Sequence, residues 1–140
     1  MPDSVNTIGF PSLKERVQST FIDTLLIISL MFVAAAALDR FGPVPDWLRI
    51  VIFLTLWLVY EPLATSLGST LGNYLMKIRV REYGKPNQRI NFLLALVRYV
   101  IKFLLGWLSF ITISTNPEKR AIHDLAAGSI MIKIPAWGSK

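Results

Sequence analysis

The chain holds one histidine, His123, directly before Asp124. A His–Asp pair can move protons, but adjacent side chains on a helix diverge by about 100°, so this dipeptide is not a ready dyad. No serine elbow, HExxH or P-loop accompanies it. One histidine with scattered carboxylates also makes a poor transition-metal site. Cysteine is absent, which removes disulfides, thiolate nucleophiles and Cys-based metal ligation. No enzyme activity, metal or cofactor is expected. The plain alternative for His123 and Asp124 is a solvated turn in which Asp124 caps a final helix.

A more informative charge stands near the N-terminus. Asp23 lies in the apolar stretch Phe21–Leu38, FIDTLLIISLMFVAAAAL. At about 1.5 Å per residue that stretch crosses most of a bilayer core. A carboxylate there costs at least about 2.5 kcal/mol, so it should face protein or water. Arg16 precedes Asp23 by seven residues, almost two helical turns, so both fall on one stripe roughly 10 Å apart. Such a separation needs a third group between them. If both termini are cytoplasmic, Asp124 can reach the Arg16 end of this stripe, and the three residues should then interact directly or through water, with the Arg16 fork bridging the two aspartates.

Composition sets the frame for these residues. The chain is 53% hydrophobic and 17% charged, against about 25% charge in an ordinary soluble domain. Its mean hydropathy is +0.49. In so apolar a chain, a net charge of +6 reads as basic loops facing an anionic membrane surface rather than as a nucleic-acid site. A secretory leader is the competing reading of the first segment. Lys14 and Arg16 would be its n-region, Leu25–Val33 its h-region and Ala34–Ala37 its cleavage site. Asp23 is an odd start for such an h-region.

The expected layout is one membrane domain over 1–140. A tail covers 1–13 and a first helix 14–38. A Gly- and Pro-bearing connector then leads to a second helix over 47–63, closed or kinked by Glu61-Pro62. The short connector makes the two helices an antiparallel hairpin. Trp47, Trp57 and Tyr60 suit the interface belts, and Arg49 can snorkel outward. Residues 64–91 form an amphipathic, strand-bearing loop. Within it Ala64, Gly68 and Gly72 recur every four residues, which suits close helix packing, with Ser69 and Thr70 alongside. Met76–Arg81 alternates apolar and basic residues, as a half-buried strand does, and 83–87 reads as a turn.

A third membrane segment covers 92–114, with Arg98 and Lys102 one turn apart inside it. The uncharged run after Lys102 is short, which favours a re-entrant segment bent at Gly106 over a full crossing. Residues 115–140 carry the His-Asp motif and a second strand candidate at Ser129–Ile134. Two lone strands should pair, so both would lie on one side of the membrane. Every Lys and Arg except Arg40 and Arg49 can then be cytoplasmic, in line with the positive-inside rule.

The fold class is therefore an all-α (mostly α) membrane protein: a transmembrane helical hairpin, a third and re-entrant membrane helix, and a small two-stranded cytoplasmic β element. The expected location is the bacterial cytoplasmic (inner) membrane, with the N-terminus in the cytoplasm.

Three blocks in order resemble the RDD family of small membrane proteins, named for one arginine and two aspartates. Arg16 and Asp23 match an arginine at the start of the first helix and an aspartate within it. Gly68-Ser69-Thr70-Leu71-Gly72-Asn73, followed by Ile78-Arg79-Val80, resembles G-x-T-x-G-K and its L-R-V strand. Asn116–Gly128 is similar to D-P-x-R-R-x-x-H-D-x-x-A-G. Asn73 stands for the usual lysine and Asn116 for the usual aspartate. The resemblance implies an integral membrane protein, with proposals of small-solute or cation transport, but no substrate.

Two functions stay open. The first is transport of a small solute or cation, coupled to protons and requiring an oligomer, because so few helices enclose no pathway. The second is a non-catalytic membrane adaptor or assembly factor. In the first, Arg16, Asp23, His123 and Asp124 bind; in the second they form a structural network. Gly68, Thr70, Gly72 and Gly128 are assigned to packing. Membrane lipids and either further copies of the chain or a membrane-protein partner are the expected company.

Overall fold

A computed structural model describes residues 9–134, with the side chain of Pro86 excepted. Most of the tail expected over 1–13 and the last six residues lie outside the described part. Helix α1 (Leu13–Asp39) is set by its N-cap. Ser12 Oγ accepts from the Glu15 amide at 3.3 Å, and the Glu15 carboxylate accepts from the Ser12 amide at 2.8 Å. No Gly or Pro interrupts the helix until the connector, where Gly42 takes φ +91°.

Helix α2 (Asp46–Leu67) runs back against α1. It does not stop at Glu61-Pro62: Pro62 lies inside it, and Gly68 (φ +148°) ends it. The short helix α3 (Leu71–Leu75) follows, capped by Thr70. Gly68 and Gly72 thus sit in different elements. The stripe of small residues is not one continuous helix face.

The β element has three strands, not two. β1 (Ile78–Glu82), β2 (Lys85–Arg89) and β3 (Ser129–Lys133) form a sheet in the order β2-β1-β3. β1 pairs antiparallel with β3, Val80 opposite Met131, and antiparallel with β2, Arg81 opposite Arg89. The turn expected over 83–87 shrinks to Tyr83-Gly84, with Gly84 at φ +79°. The residues after it therefore return as a strand.

Ile78, Val80, Ile90, Ala95 and Met131 make the buried core that joins the sheet to helix α4 (Phe92–Leu105). Asn91 caps α4 by accepting from the Leu94 amide at 2.8 Å. At Gly106 (φ +53°) the apolar run changes from α to a 3-10 helix, Gly106–Ile113. Helix α5 (Ile122–Ala127) then leads into β3.

Three helical stretches, Leu13–Asp39, Asp46–Leu67 and Phe92–Ile113, are long and apolar enough to cross a membrane. Their outer faces expose Phe32, Phe103, Leu104 and Trp107. In water such faces would be a liability; against lipid they carry no penalty.

Candidate functional site

The sharp N-cap of α1 places Arg16 in the first turn, aimed back at the C-terminal motif. Arg16 is buried, and its Nη1 donates to Asp124 Oδ2 at 2.6 Å. Its Nη2 donates to the Lys119 carbonyl. Lys119 takes φ +51°, which turns that carbonyl inward. From α4, Arg98 Nε donates to Asp124 Oδ1 at 2.8 Å. The Ala121 amide donates to Oδ2 at 3.1 Å, so Asp124 caps α5 as expected. It is not solvated, however: it has no exposed surface at all.

Arg98 continues the chain of charges. Its Nη1 lies 3.7 Å from Glu61 Oε1 on α2, and Lys102 Nζ lies 2.8 Å from the same oxygen. Arg98 Nη2 also rests on Met131 Sδ at 3.3 Å. Four elements, α1, α2, α4 and α5, are joined through alternating charges. Burial alone raises the Asp124 pKa, but Arg98 and Arg16 more than offset it and hold the carboxyl far below its ordinary range.

Asp23 belongs to a second, separate clasp. Among the described residues no direct bond joins Arg16 to Asp23, so the fork does not hold both aspartates directly. Asp23 Oδ2 instead accepts from Thr70 Oγ1 at 2.7 Å, and Oδ1 from the Gly72 amide at 2.7 Å. Tyr60 OH also donates to Oδ1 at 3.1 Å. Tyr60 therefore serves the clasp, and it accepts in turn from the Leu71 amide at 3.1 Å. Ser19 Oγ donates to Asn73 Oδ1 at 2.5 Å, so the asparagine that replaces the usual lysine also ties α1 to α3.

Gly72 is the close-approach glycine, because a Cβ there would strike the Ser19 carbonyl and lie 2.9 Å from the Asp23 carboxylate. Gly68 and Gly128 are not tight in this way. Gly128 (φ +61°) ends α5 in the left-handed region, with open space where a Cβ would be.

The two clasps face one cavity of about 10 Å³, room for a single water, lined by Arg16, Asp23, Glu61, Arg98, Lys102 and His123 among others. Sequence alone does not mark Arg98, Glu61 and Lys102 as site residues. The available signal is two charges one turn apart in an apolar run, which reads only as topology. A charge that apolar surroundings cannot leave bare needs a partner, and Glu61 was the nearest unassigned carboxylate in the hairpin.

His123 is almost fully buried with its Nδ1 unpartnered, its ring edge-on to Phe110. Its Nε2 lies 3.7 Å from Asp124 Oδ1, too long for a hydrogen bond. Burial, then the Arg98 charge, pushes its pKa down from 6.5 to about 2. The unfolded chain takes up this proton near pH 6.5 and the folded chain does not. Stability is thus complete above pH 6.5 and falls as pH drops. Between pH 6.5 and 5 the loss should be about 2 kcal/mol. His123 is the sole histidine, so His123→Gln should unfold at nearly the same temperature at pH 5 and pH 6.5 in detergent. A wild-type melting temperature flat across that window would contradict a buried neutral imidazole.

Compared with known proteins, residues 10–128 match the family model described as the RDD family. That span includes Arg16, Asp23 and Asp124. No curated protein and no solved structure matches the chain.

Proposed function

We propose, from the premise that the chain belongs to the RDD family, that it works as a non-catalytic membrane adaptor or assembly subunit with a structural polar core. One observation carries this reading. Both oxygens of the fully buried Asp124 are taken by Arg16, Arg98 and backbone, which leaves no valence for a cation or a substrate. The chain resides in a bacterial cytoplasmic membrane among lipids, and assembles with further copies or with another membrane protein. Nucleic acid plays no part.

Transport is the second reading, and a different observation favours it. Asp23, Glu61 and Lys102 line a cleft of about 230 Å³ between α1, α2 and α4. Only neutral donors hold the Asp23 carboxylate. Proteoliposomes decide between the two. The adaptor should show no cation-driven proton flux above empty vesicles, in wild type and in Asp23→Asn alike. A flux that wild type carries and Asp23→Asn abolishes would replace the adaptor with a proton-coupled transporter.

In this proposal both ends of the described chain face the cytoplasm and Phe92–Ile113 re-enters. Support comes from the sheet: β1 precedes that segment, β3 follows it, and the two strands pair. The chain has no cysteine of its own, so single cysteines report cleanly. Those at Asn87 and Thr115 should resist labelling from outside intact cells, while one at Gly42 should label. External labelling at Thr115 but not at Asn87 would mean a full third crossing.

A further inference from the structure

One face of the sheet carries charges that neither clasp uses. Ile78 and Val80 enter the core, so by strand alternation Arg79 and Arg81 point to the opposite face. The register sets Arg81 directly across from Arg89. Like charges directly opposite each other across a ladder repel. Among the described residues no carboxylate pairs with any of these three arginines.

Arg81 is the sharpest of them. It is 7% exposed, and its Nη1 is buried without a partner. A buried donor left unmade is costly, and a charged one more so. Burial, then the Arg79 and Arg89 charges, lowers its pKa, as expected of a cation lacking a counter-ion.

Position indicates what the counter-ion is. Arg89 lies against the end of α2: a Cβ on Gly68 would be 3.8 Å from the Arg89 guanidinium carbon. The cluster therefore sits where a membrane-crossing helix ends. β3 sets Ile132 opposite Arg79 and Ile130 opposite Arg81, so apolar side chains flank the cations.

We propose that Arg79, Arg81 and Arg89 bind the phosphate of an anionic phospholipid headgroup. Guanidinium forks match phosphate oxygens in pairs. A lipid at the bilayer surface supplies both the anion and apolar surface for the flanking isoleucines, and anionic leaflets draw such basic groups. The bound phosphate screens the Arg81–Arg89 repulsion and gives the Arg81 guanidinium the counter-ion it lacks.

The test uses the full chain in neutral detergent. Thermal unfolding is followed with added phosphatidylglycerol, with phosphatidylcholine at the same mole fraction, or with inorganic phosphate. Phosphatidylglycerol should raise the melting temperature of wild type and of the control Arg49→Gln, whose half-buried side chain pairs with Asp39 outside the cluster. Arg81→Gln with Arg89→Gln should lose that rise, its binding weakened about tenfold for each arginine removed. Without lipid the double variant should melt no lower than wild type, since two repelling charges are gone. An equal rise with phosphatidylcholine, a full rise in the double variant, or a double variant that melts lower without lipid would each overturn the site. A rise given in full by inorganic phosphate would overturn the lipid assignment.

Discussion

Asp124→Asn should be among the most damaging single changes in the chain, costing about 3–5 kcal/mol as measured by unfolding in detergent. The side chain keeps its shape, so packing is not the cause. The cost is electrostatic. Arg16 and Arg98 both lose their anion while remaining buried, and among the described residues Arg98 keeps an ion pair with Glu61 alone, which Lys102 already holds. Asp23→Asn should cost less, about 1–2 kcal/mol, because the donors on Asp23 are neutral and the amide oxygen can keep some of them. Equal losses for the two variants would contradict a charge centre built on Asp124.

The same geometry decides a charge swap. Were Arg16–Asp124 an isolated pair, Arg16→Asp with Asp124→Arg would recover much of the loss. Arg98 forbids it. An arginine at 124 would face the Arg98 guanidinium, now 2.8 Å from the aspartate oxygen, at a position with no exposed surface. The swap should therefore be at least as unstable as Asp124→Asn. A double variant restored to near wild-type stability would mean that Arg98 contributes nothing to the centre.

The ends of this network were legible in the sequence for different reasons than its middle. A carboxylate in an apolar run must turn inward, so Asp23 announced itself. The partner of Asp23 did not. Its donors are a backbone amide, a threonine and a tyrosine, and neutral donors leave no charge pattern to read. Arg16 was matched to the right motif but credited with both aspartates. The reason is that one stripe on α1 says nothing about α3, whose Thr70 cap and Gly72 amide take both oxygens of Asp23.

Arg98 and Lys102 were visible as charges and misread in role, since a topological use and a pairing use look alike in sequence. The third strand was hidden in a segment whose Gly-Lys-Pro-Asn composition marks a turn. The hairpin extends through it because β1 offers a free edge. The helices and their hairpin, by contrast, follow from hydropathy and a Gly/Pro connector alone.

Gly72→Ala should separate α1 from α3 and cost about 3 kcal/mol, against well under 1 kcal/mol for Leu71→Ala next to it. Leu71 is about two-fifths exposed and its loss opens little space. Gly72 is different in three respects. Its missing Cβ would collide with the Ser19 backbone, which a helix cannot move without shifting whole. Its amide holds the Asp23 carboxylate at 2.7 Å, so any retreat of α3 strands a charge in apolar surroundings. Thr70 and Asn73, on either side, hold the same contact, so the retreat loosens the Ser19–Asn73 and Asp23–Thr70 bonds together. The comparison of two small substitutions in adjacent residues separates this contact from any general sensitivity of the segment. Equal melting temperatures for Gly72→Ala and Leu71→Ala would show that α1 and α3 do not depend on backbone contact. A second variant, Asp23→Ala with Gly72→Ala, removes the stranded charge and the contacts with the Asp23 carboxylate, leaving the collision with the Ser19 backbone. It should melt above Gly72→Ala alone, because the carboxylate that the new methyl would strand is no longer there.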